Sequence, residues 1–191
     1  MKGAIRKEIL EARNGLTLED RLNLSGQIKN SVLNLEEYKR ARTILCYMPI
    51  NNEVDTISLI QISLDNGKII ALPRVNKKTK LLEVYEIRNL DEDLKKGSYD
   101  IQEPKINRTR RLEYSEIDLI IVPGIVFDLH GFRIGYGEGY YDRLLKSAGV
   151  PKIGLAYEFQ MRDKLPKESH DVCVDKIITE NRIIECGGEL K

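Results

Sequence analysis

Residues 118–124 read Asp-Leu-Ile-Ile-Val-Pro-Gly, and this stretch decides the fold. Its four consecutive apolar residues, bounded by an acid on one side and a Pro-Gly turn on the other, predict a short strand buried on both faces. Strands of this kind are typical of parallel sheets, in which helices cover both faces. The stretch therefore predicts an α/β fold, in which the residues after Val122 lie at the carboxyl end of a central strand.

Strand and helix patterns alternate on both sides of this stretch. Further strands are predicted at residues 43–47, 68–72, 82–87, 152–156 and 175–178, and helices at residues 54–64 and 140–147. The first forty residues predict two more helices, the second of which begins with Thr17 and Asp20 in capping-box spacing. This alternation predicts a largely parallel sheet. Residues 91–111 are polar and are predicted to be irregular and exposed.

Length and charge limit the classes of protein that fit. A chain of 191 residues fits one domain, which we expect to span residues 1–191. A formal charge of +1, from 31 basic and 30 acidic residues, argues against a dedicated nucleic-acid binder. No apolar run reaches the about 20 residues of a membrane span, and the N-terminus lacks the apolar core of a signal peptide. Three scattered cysteines favour a reducing cytoplasm, and nothing indicates an obligate protein partner.

The segment after the central strand has the composition of a phosphate site. Residues 131–143 read Gly-Phe-Arg-Ile-Gly-Tyr-Gly-Glu-Gly-Tyr-Tyr-Asp-Arg and run into a predicted helix. Glycine lets backbone N–H groups approach a ligand, and a helix start offers unpaired N–H donors and a positive dipole. Arg133 and Arg143 add cations, and Asp142 adds a carboxylate suited to Mg²⁺. The segment therefore predicts a site for the phosphates of a nucleotide.

This segment differs from the common nucleotide motifs. The Gly-Lys-Ser/Thr ending of a Walker A loop is missing, and Gly135, Gly137 and Gly139 alternate strictly instead of following the dinucleotide pattern. The alternative interpretation is a glycine-rich surface turn between a strand and a helix.

Other residues have both a structural and a functional interpretation. Lys2 and Arg6 share one helix face, which is either a solvated basic face or an arm that contacts phosphates. Glu53 lies in a loop after a strand and is a candidate for binding a polar substrate group. Met48 is either a core residue or part of a ligand wall. Asp175 is either a turn carboxylate or a second ligand of Mg²⁺.

Several separate patches resemble the 5-formyltetrahydrofolate cyclo-ligase family, also called 5,10-methenyltetrahydrofolate synthetase. The most specific patches are residues 122–128, 131–137 and 139–143, and supporting ones are Lys2 with Arg6, residues 52–56, residues 72–75, and His170-Asp171 through residues 174–175 to 179–180. The resemblance covers nearly the whole chain. It implies a three-layer α/β/α sandwich with a mainly parallel sheet and an ATP-dependent closure of the 5-formyltetrahydrofolate ring to 5,10-methenyltetrahydrofolate.

The resemblance also implies roles for individual residues. Arg133 and Tyr141 would be catalytic, Asp142 and Asp175 would hold Mg²⁺, and Met48, Glu53, Tyr136 and Tyr140 would contact the folate. ATP would be bound by Lys2, Arg6, Arg133, Ile134, Gly135, Tyr136, Gly137, Glu138, Gly139, Tyr140 and Tyr141. Glu138 departs from the family pattern, in which this position often carries Gly or a basic residue, and a carboxylate facing phosphates would repel them. We therefore expect its side chain to point outward or to bind metal.

Two rival functions remain open at this point. One is an enzyme of the same shape that acts on another phosphorylated or formylated small molecule. The other is a non-catalytic nucleotide-binding or scaffold protein. The presence of Asp142, Arg133 and Lys2 together favours catalysis.

Overall fold

A computed structural model describes residues 2–97, 101–168 and 171–186 of the chain. The helices are α1 (Lys2–Asn14), α2 (Leu18–Asn34), α3 (Glu36–Arg40), α4 (Ile57–Asp65), α5 (Leu90–Asp93) and α6 (Tyr140–Ser147). The strands are β1 (Thr43–Leu45), β2 (Ile69–Asn76), β3 (Leu81–Ile87), β4 (Leu94–Lys96), β5 (Gln102–Pro104), β6 (Arg110–Leu112), β7 (Leu119–Val122), β8 (Val126–Asp128), β9 (Arg133–Ile134), β10 (Lys152–Leu155), β11 (Met161–Arg162), β12 (Lys176–Ile178) and β13 (Ile183–Glu185).

Eight strands form the main sheet in the order β13-β12-β10-β7-β1-β2-β3-β6. The five strands from β12 to β2 are parallel to one another, and the outer strands pair antiparallel. All four residues of β7 are buried, as expected for a central strand with covered faces. The predicted α/β fold with a mainly parallel sheet is confirmed.

Helices cover both faces of this sheet. Ile28 and Val32 of α2 pack with Leu59 and Ile60 of α4 in a core cluster on one face. Leu144 and Leu145 of α6 belong to a second cluster, which includes Val122 and Ile177 and covers the other face. Because side chains alternate along a strand, adjacent residues of β7 contribute to different clusters. The single domain over residues 1–191 stays a prediction.

The two predicted N-terminal helices are present, and α3 adds a short third one before β1. The predicted capping box at the start of α2 is confirmed: the Asp20 N–H donates to Thr17 Oγ1 at 3.0 Å, and the Thr17 N–H donates to the Asp20 carboxylate at 3.3 Å. Among the described residues, no helix combines the length and the apolar character that crossing a membrane would need.

A second, smaller sheet in the order β11-β8-β9 lies beside the main one. A core cluster with Ile9 of α1, Val126, Ile134 and Leu165 packs it against the first helix. Since β9 leads directly into residues 135–139 and then α6, this sheet positions the glycine-rich segment. Its strands of two or three residues are too short to give a periodic sequence signal.

The prediction of irregular structure for residues 91–111 is wrong for much of that segment. It contains most of α5, the antiparallel pair β4–β5, and the start of β6, which pairs with β3, while residues 98–100 lie outside the described residues. Ion pairs stabilise the strand edge: Arg110 pairs with Glu86 at 2.9 Å and with Glu116 at 2.8 Å. Charged side chains on an edge strand also discourage pairing with other chains, and they hide the strand pattern in the sequence.

Candidate active site

The glycine-rich loop, residues 135–139, joins β9 to α6. Gly137 and Gly139 have φ angles of 107° and 66°, which residues other than glycine rarely adopt. Gly139 is the N-cap of α6, so the first N–H groups of that helix have no acceptor within the helix. These N–H groups and the helix dipole make the loop suitable for an anion.

Glu138 is exposed, and its backbone carbonyl, not its carboxylate, is tied down: Arg143 Nη2 donates to that oxygen at 2.9 Å. The exposure agrees with the expectation that the acidic side chain points outward. Arg143 also covers the Tyr140 ring, with its guanidinium carbon 5.1 Å from the ring centroid. The Tyr140 ring therefore already has a cationic partner.

Of two cations of α1, Arg6 contacts the glycine-rich loop and Lys2 pairs with acids of residues 168–171. Arg6 Nε donates to the carbonyl of Gly135 at 2.9 Å. Lys2 Nζ lies 2.9 Å from the Asp171 carboxylate and 3.1 Å from that of Glu168. The structure thus brings the N-terminal helix to the loop, although Arg6 and Gly135 are more than 120 positions apart in sequence.

Buried Arg133 and the partly buried Tyr141 and Asp142 form a group beside the loop. The Arg133 side chain is 4% exposed, and its Nη2 donates to Asp142 Oδ1 at 3.0 Å. Its guanidinium carbon lies 5.6 Å from the Tyr141 ring centroid. Burial lowers the pKa of Arg133 and raises that of Tyr141 well above its ordinary value. Arg133 Nε and Tyr141 Oη are buried without a hydrogen-bond partner in the part of the chain that the structure describes.

The carboxylates suited to a cation at this site are those of Asp142 and Asp171. Asp142 lies in the first turn of α6, and Asp171 is near enough to Arg133 to oppose the lowering of its pKa. No cluster of three or more acidic, histidine or cysteine side chains is present within the described ranges. Mg²⁺ needs only one or two carboxylates when substrate phosphates complete its coordination, so carboxylates of this number have the chemistry that it requires. His170, beside Asp171, lies outside the described residues.

The structure does not bring Asp175 to Asp142. The Asp175 carboxylate accepts a hydrogen bond from the Lys152 N–H at 2.8 Å, at the amino ends of the parallel strands β10 and β12. Helix α6 ends at Ser147, just before β10, so its first turn faces the opposite, carboxyl ends. Eight helical residues separate the two levels by about 12 Å. Asp175 is therefore placed as a turn carboxylate, the structural alternative stated above.

Glu53 is a buried acid in the loop between β1 and α4. Its side chain is 6% exposed, and its carboxylate accepts a hydrogen bond from the Ile50 N–H at 3.1 Å. Burial raises the pKa of Glu53 to about 7, and the charge of Arg13 opposes the rise. The charge of Glu53 in turn helps raise the pKa of Tyr141. Met48 is half-buried and packs on the core, in agreement with its structural interpretation.

Sequence reasoning missed Arg13, which is completely buried. Its Nη2 donates to Tyr136 Oη at 2.8 Å, and its Nε donates to the carbonyl of Asn51 at 2.7 Å. One signal was available: Arg13 lies four residues after Ile9 and hence on the buried face of α1. Asp171 was noted only as part of the family resemblance and was given no role, because its neighbours in sequence do not indicate which acid turns toward α1.

Replacing Glu53 by glutamine is expected to flatten the pH dependence of stability. Between pH 4.5, the ordinary value for glutamate, and about 7, the folded protein keeps the Glu53 proton that the unfolded chain has released. The free energy of unfolding therefore falls as pH rises through this window, by up to about 3 kcal/mol from this group. Urea unfolding of both proteins at pH 5 and pH 8 measures the difference. An exposed glutamate, Glu19→Gln, serves as control, and equal slopes for wild type and Glu53→Gln would contradict the burial of a protonated Glu53.

The sequence of this chain is similar to that of known proteins over most of its length. A family model described as the 5-formyltetrahydrofolate cyclo-ligase family matches residues 1–180. A 5-formyltetrahydrofolate cyclo-ligase of Haemophilus influenzae is 33% identical over 88% of this chain and 91% of its own. That of Mus musculus is 28% identical over 94% of both chains.

Solved structures are similar as well. The NMR structure of Aquifex aeolicus 5,10-methenyltetrahydrofolate synthetase has a TM-score of 0.87 and 35% identity, and the match covers 100% of this chain and 96% of that one. The enzyme of the same name from Mycoplasma pneumoniae has a TM-score of 0.76 and 30% identity over 94% of this chain and 98% of its own. The similarity therefore includes the glycine-rich loop, α1 and the Glu53 loop together.

Proposed function

The chain belongs to the 5-formyltetrahydrofolate cyclo-ligase family, and on that premise we propose how its residues catalyse the ATP-dependent cyclisation of 5-formyltetrahydrofolate to 5,10-methenyltetrahydrofolate. The formyl oxygen attacks the γ-phosphorus of ATP, and ADP leaves. N10 then attacks the activated formyl carbon and loses its proton, and the C–O bond breaks to release phosphate. Phosphorylation turns a poor leaving group, an oxide, into a good one.

The phosphate side of the site is formed by the glycine-rich loop and the basic residues around it. We assign the ATP phosphates to the N–H groups of the loop and of the first turn of α6, with Lys2, Arg6 and Arg133 as cations. Phosphoryl transfer needs placement and charge neutralisation more than a protein nucleophile, and a buried guanidinium supplies both. The unpartnered Arg133 Nε supports this assignment, since an oxygen of the transferred group would satisfy it.

Mg²⁺ is part of the proposal. Asp142 and Asp171 would hold it, and the chemistry it supplies when bound is neutralisation of charge on the phosphate oxygens. The protein side chains also position one another. Asp142 orients Arg133 through their 3.0 Å contact, and Lys2 holds Asp171 through an ion pair.

The folate side is formed by Glu53, Tyr136 and Tyr141, with Met48 and Tyr140 at its border. Glu53 offers carboxylate oxygens to polar atoms of the pterin or formyl region, and the half-exposed Tyr136 ring offers a face for the flat heterocycle. The observation that carries the proposal is the position of Tyr141, whose ring contacts the phosphate-side Arg133 and whose pKa is also raised by the charge of Glu53. The two half-sites therefore meet where the formyl group must meet the γ-phosphate.

The free thiols of Cys46, Cys173 and Cys186 support a reducing compartment, and we propose the cytoplasm. We also propose that the enzyme acts without an obligate protein partner.

The test is absorbance of the purified protein with 5-formyltetrahydrofolate, MgATP, and each component omitted in turn. Appearance of the methenyl chromophore only with both ATP and Mg²⁺ is the expected result. Glu53→Gln should raise KM for 5-formyltetrahydrofolate by about 10-fold, the scale of a hydrogen bond to a charged group, and leave KM for ATP near its original value. Binding of ATP without any product would keep the phosphate site but assign it to another formylated or phosphorylated substrate.

A further inference from the structure

Arg13 is the fully buried cation in the last turn of α1, and its contacts join three separate parts of the chain. Its guanidinium donates to Asn51, 38 positions away, and to Tyr136, 123 positions away. Its own carbonyl accepts a hydrogen bond from Asn52 Nδ2 at 3.2 Å. The side chain therefore links the Glu53 loop to the glycine-rich loop.

The remaining guanidinium nitrogen is directed to Glu53 without a hydrogen bond. Arg13 Nη1 lies 4.0 Å from Glu53 Oε1, and it is buried with no hydrogen-bond partner among the described residues. A buried guanidinium is unfavourable unless its charge is paired. The charge of Arg13 therefore lies next to the Glu53 carboxylate, while Nε and Nη2 of the same side chain donate hydrogen bonds to the two loops.

The Glu53 loop needs such a link because its backbone is unusual. Asn51 and Asn52 have φ angles of 47° and 57°, the left-handed region that non-glycine residues occupy only when other contacts hold them there. The Asn51 carbonyl and the Asn52 side chain are both bonded to Arg13. Tyr136 Oη also accepts from Asn51 Nδ2 at 3.3 Å, so its ring is anchored although 43% of the residue is exposed.

We propose that Arg13 is a positioning residue for the folate half-site, which keeps Glu53 and Tyr136 in one arrangement by linking their loops and by placing its charge next to the Glu53 carboxylate. This inference rests on the proposed function, and it adds a residue that does not itself touch the substrate. Replacement of Arg13 should therefore impair the use of 5-formyltetrahydrofolate more than the use of ATP.

The groups that face Glu53 define a readout that a purely structural role would not change. They are Arg13 from α1, Tyr47 after β1, Tyr136 from the glycine-rich loop and Tyr141 from α6. The three phenols are neutral near pH 7, and burial raises their pKa values further. Arg13 therefore supplies the charge that keeps the pKa of Glu53 from rising beyond about 7.

The first test is titration of Glu53 by carbon-13 NMR of its carboxyl group in the substrate-free protein. Arg13→Met should move the midpoint upward by about one pH unit or more, the effect of removing a cation at this distance, and Arg13→Lys should restore most of it. Arg21→Met is the matched control, because Arg21 pairs with Asp55 at 3.1 Å in the same region without facing Glu53. An unchanged Glu53 midpoint in Arg13→Met would overturn the proposal, whatever the enzyme's substrate.

The second test is steady-state kinetics of the same variants with the intact enzyme. Arg13→Lys and Tyr136→Phe each remove hydrogen bonds of the link while keeping charge or ring, and each should raise KM for 5-formyltetrahydrofolate by about 10-fold with little change in KM for ATP. Arg21→Met should leave this ratio unchanged. Equal effects on both KM values in folded variants would reject the positioning role. Absence of turnover in wild type would instead reject the proposed function, and the NMR titration would still decide the role of Arg13.

Discussion

Replacing Asp142 by alanine is expected to lower the rate of methenyl formation by about 10³-fold or more, the scale on which charge-stabilising groups act in phosphoryl transfer. The variant loses a carboxylate proposed to hold Mg²⁺ and also the partner of Arg133, 3.0 Å away. A guanidinium with 4% exposure is then left without its counter-ion, so we also expect a stability loss of about 3 kcal/mol. Turnover at saturating MgATP and urea unfolding measure the two effects separately.

Asp142→Asn separates the two roles of this carboxylate. The asparagine oxygen can still accept the hydrogen bond from Arg133 but carries no charge for a metal ion. We expect only part of the stability to return, because the buried guanidinium regains a hydrogen-bond acceptor but not its counter-ion, and the activity to stay low, with a higher Mg²⁺ requirement. Near-normal turnover in a folded Asp142→Asn would remove Asp142 from the metal site.

Asp171 and Asp175 form a matched pair for the second metal ligand. Asp171→Ala should reduce turnover and weaken the response to Mg²⁺, because this carboxylate lies next to Lys2 and near Arg133. Asp175→Ala should leave turnover near wild type, because its carboxylate bonds to Lys152 at the opposite ends of the strands. The reverse result would favour the assignment made from the sequence.

The fold was largely predictable because its main signals are local. The buried run of β7, the capping box of Thr17 and Asp20, and the helix from Tyr140 to Ser147 each depend on a few neighbouring residues, and the structure has them where they were expected. The strands of two or three residues in the smaller sheet and in residues 94–112 were not predictable. Their pairing partners, not their own sequence, determine that they are strands.

The part of the candidate site that lies in one sequence segment was predictable. The part that the fold assembles from distant segments was not. The glycine-rich loop, Arg133 and Asp142 lie within ten residues, so their composition alone indicated a phosphate site. Arg13 looks like any surface arginine until Asn51 and Tyr136 are known to lie against it. The choice between Asp171 and Asp175 depends on which end of β12 the chain approaches, and sequence spacing does not encode that direction.

Replacing Arg133 by methionine is expected to lower kcat by about 10³-fold or more, because the γ-phosphoryl group would lose the cation that stabilises it during transfer. Arg133→Lys should recover only part of this rate, since a point charge cannot contact Asp142 and a phosphate oxygen with the same fork. Single-turnover formation of the methenyl chromophore checks the chemical step directly. A folded Arg133→Met enzyme with a normal single-turnover rate would exclude Arg133 from catalysis.

The stability of the same variants should be asymmetric, and this asymmetry distinguishes catalysis from packing. Asp142→Ala leaves a deeply buried cation, whereas Arg133→Met leaves an acid whose side chain is 21% exposed and can be hydrated. Arg133→Met should therefore be the more stable variant of the two but no more active. In the double variant Arg133→Met/Asp142→Asn neither charge of the pair remains, and its stability loss should be smaller than the sum of the losses of Arg133→Met and Asp142→Asn, while its activity stays lost. If activity instead returned with stability in the double variant, the pair would act only by supporting the fold, and the phosphate half-site would have to lie with Lys2, Arg6 and the backbone N–H groups alone.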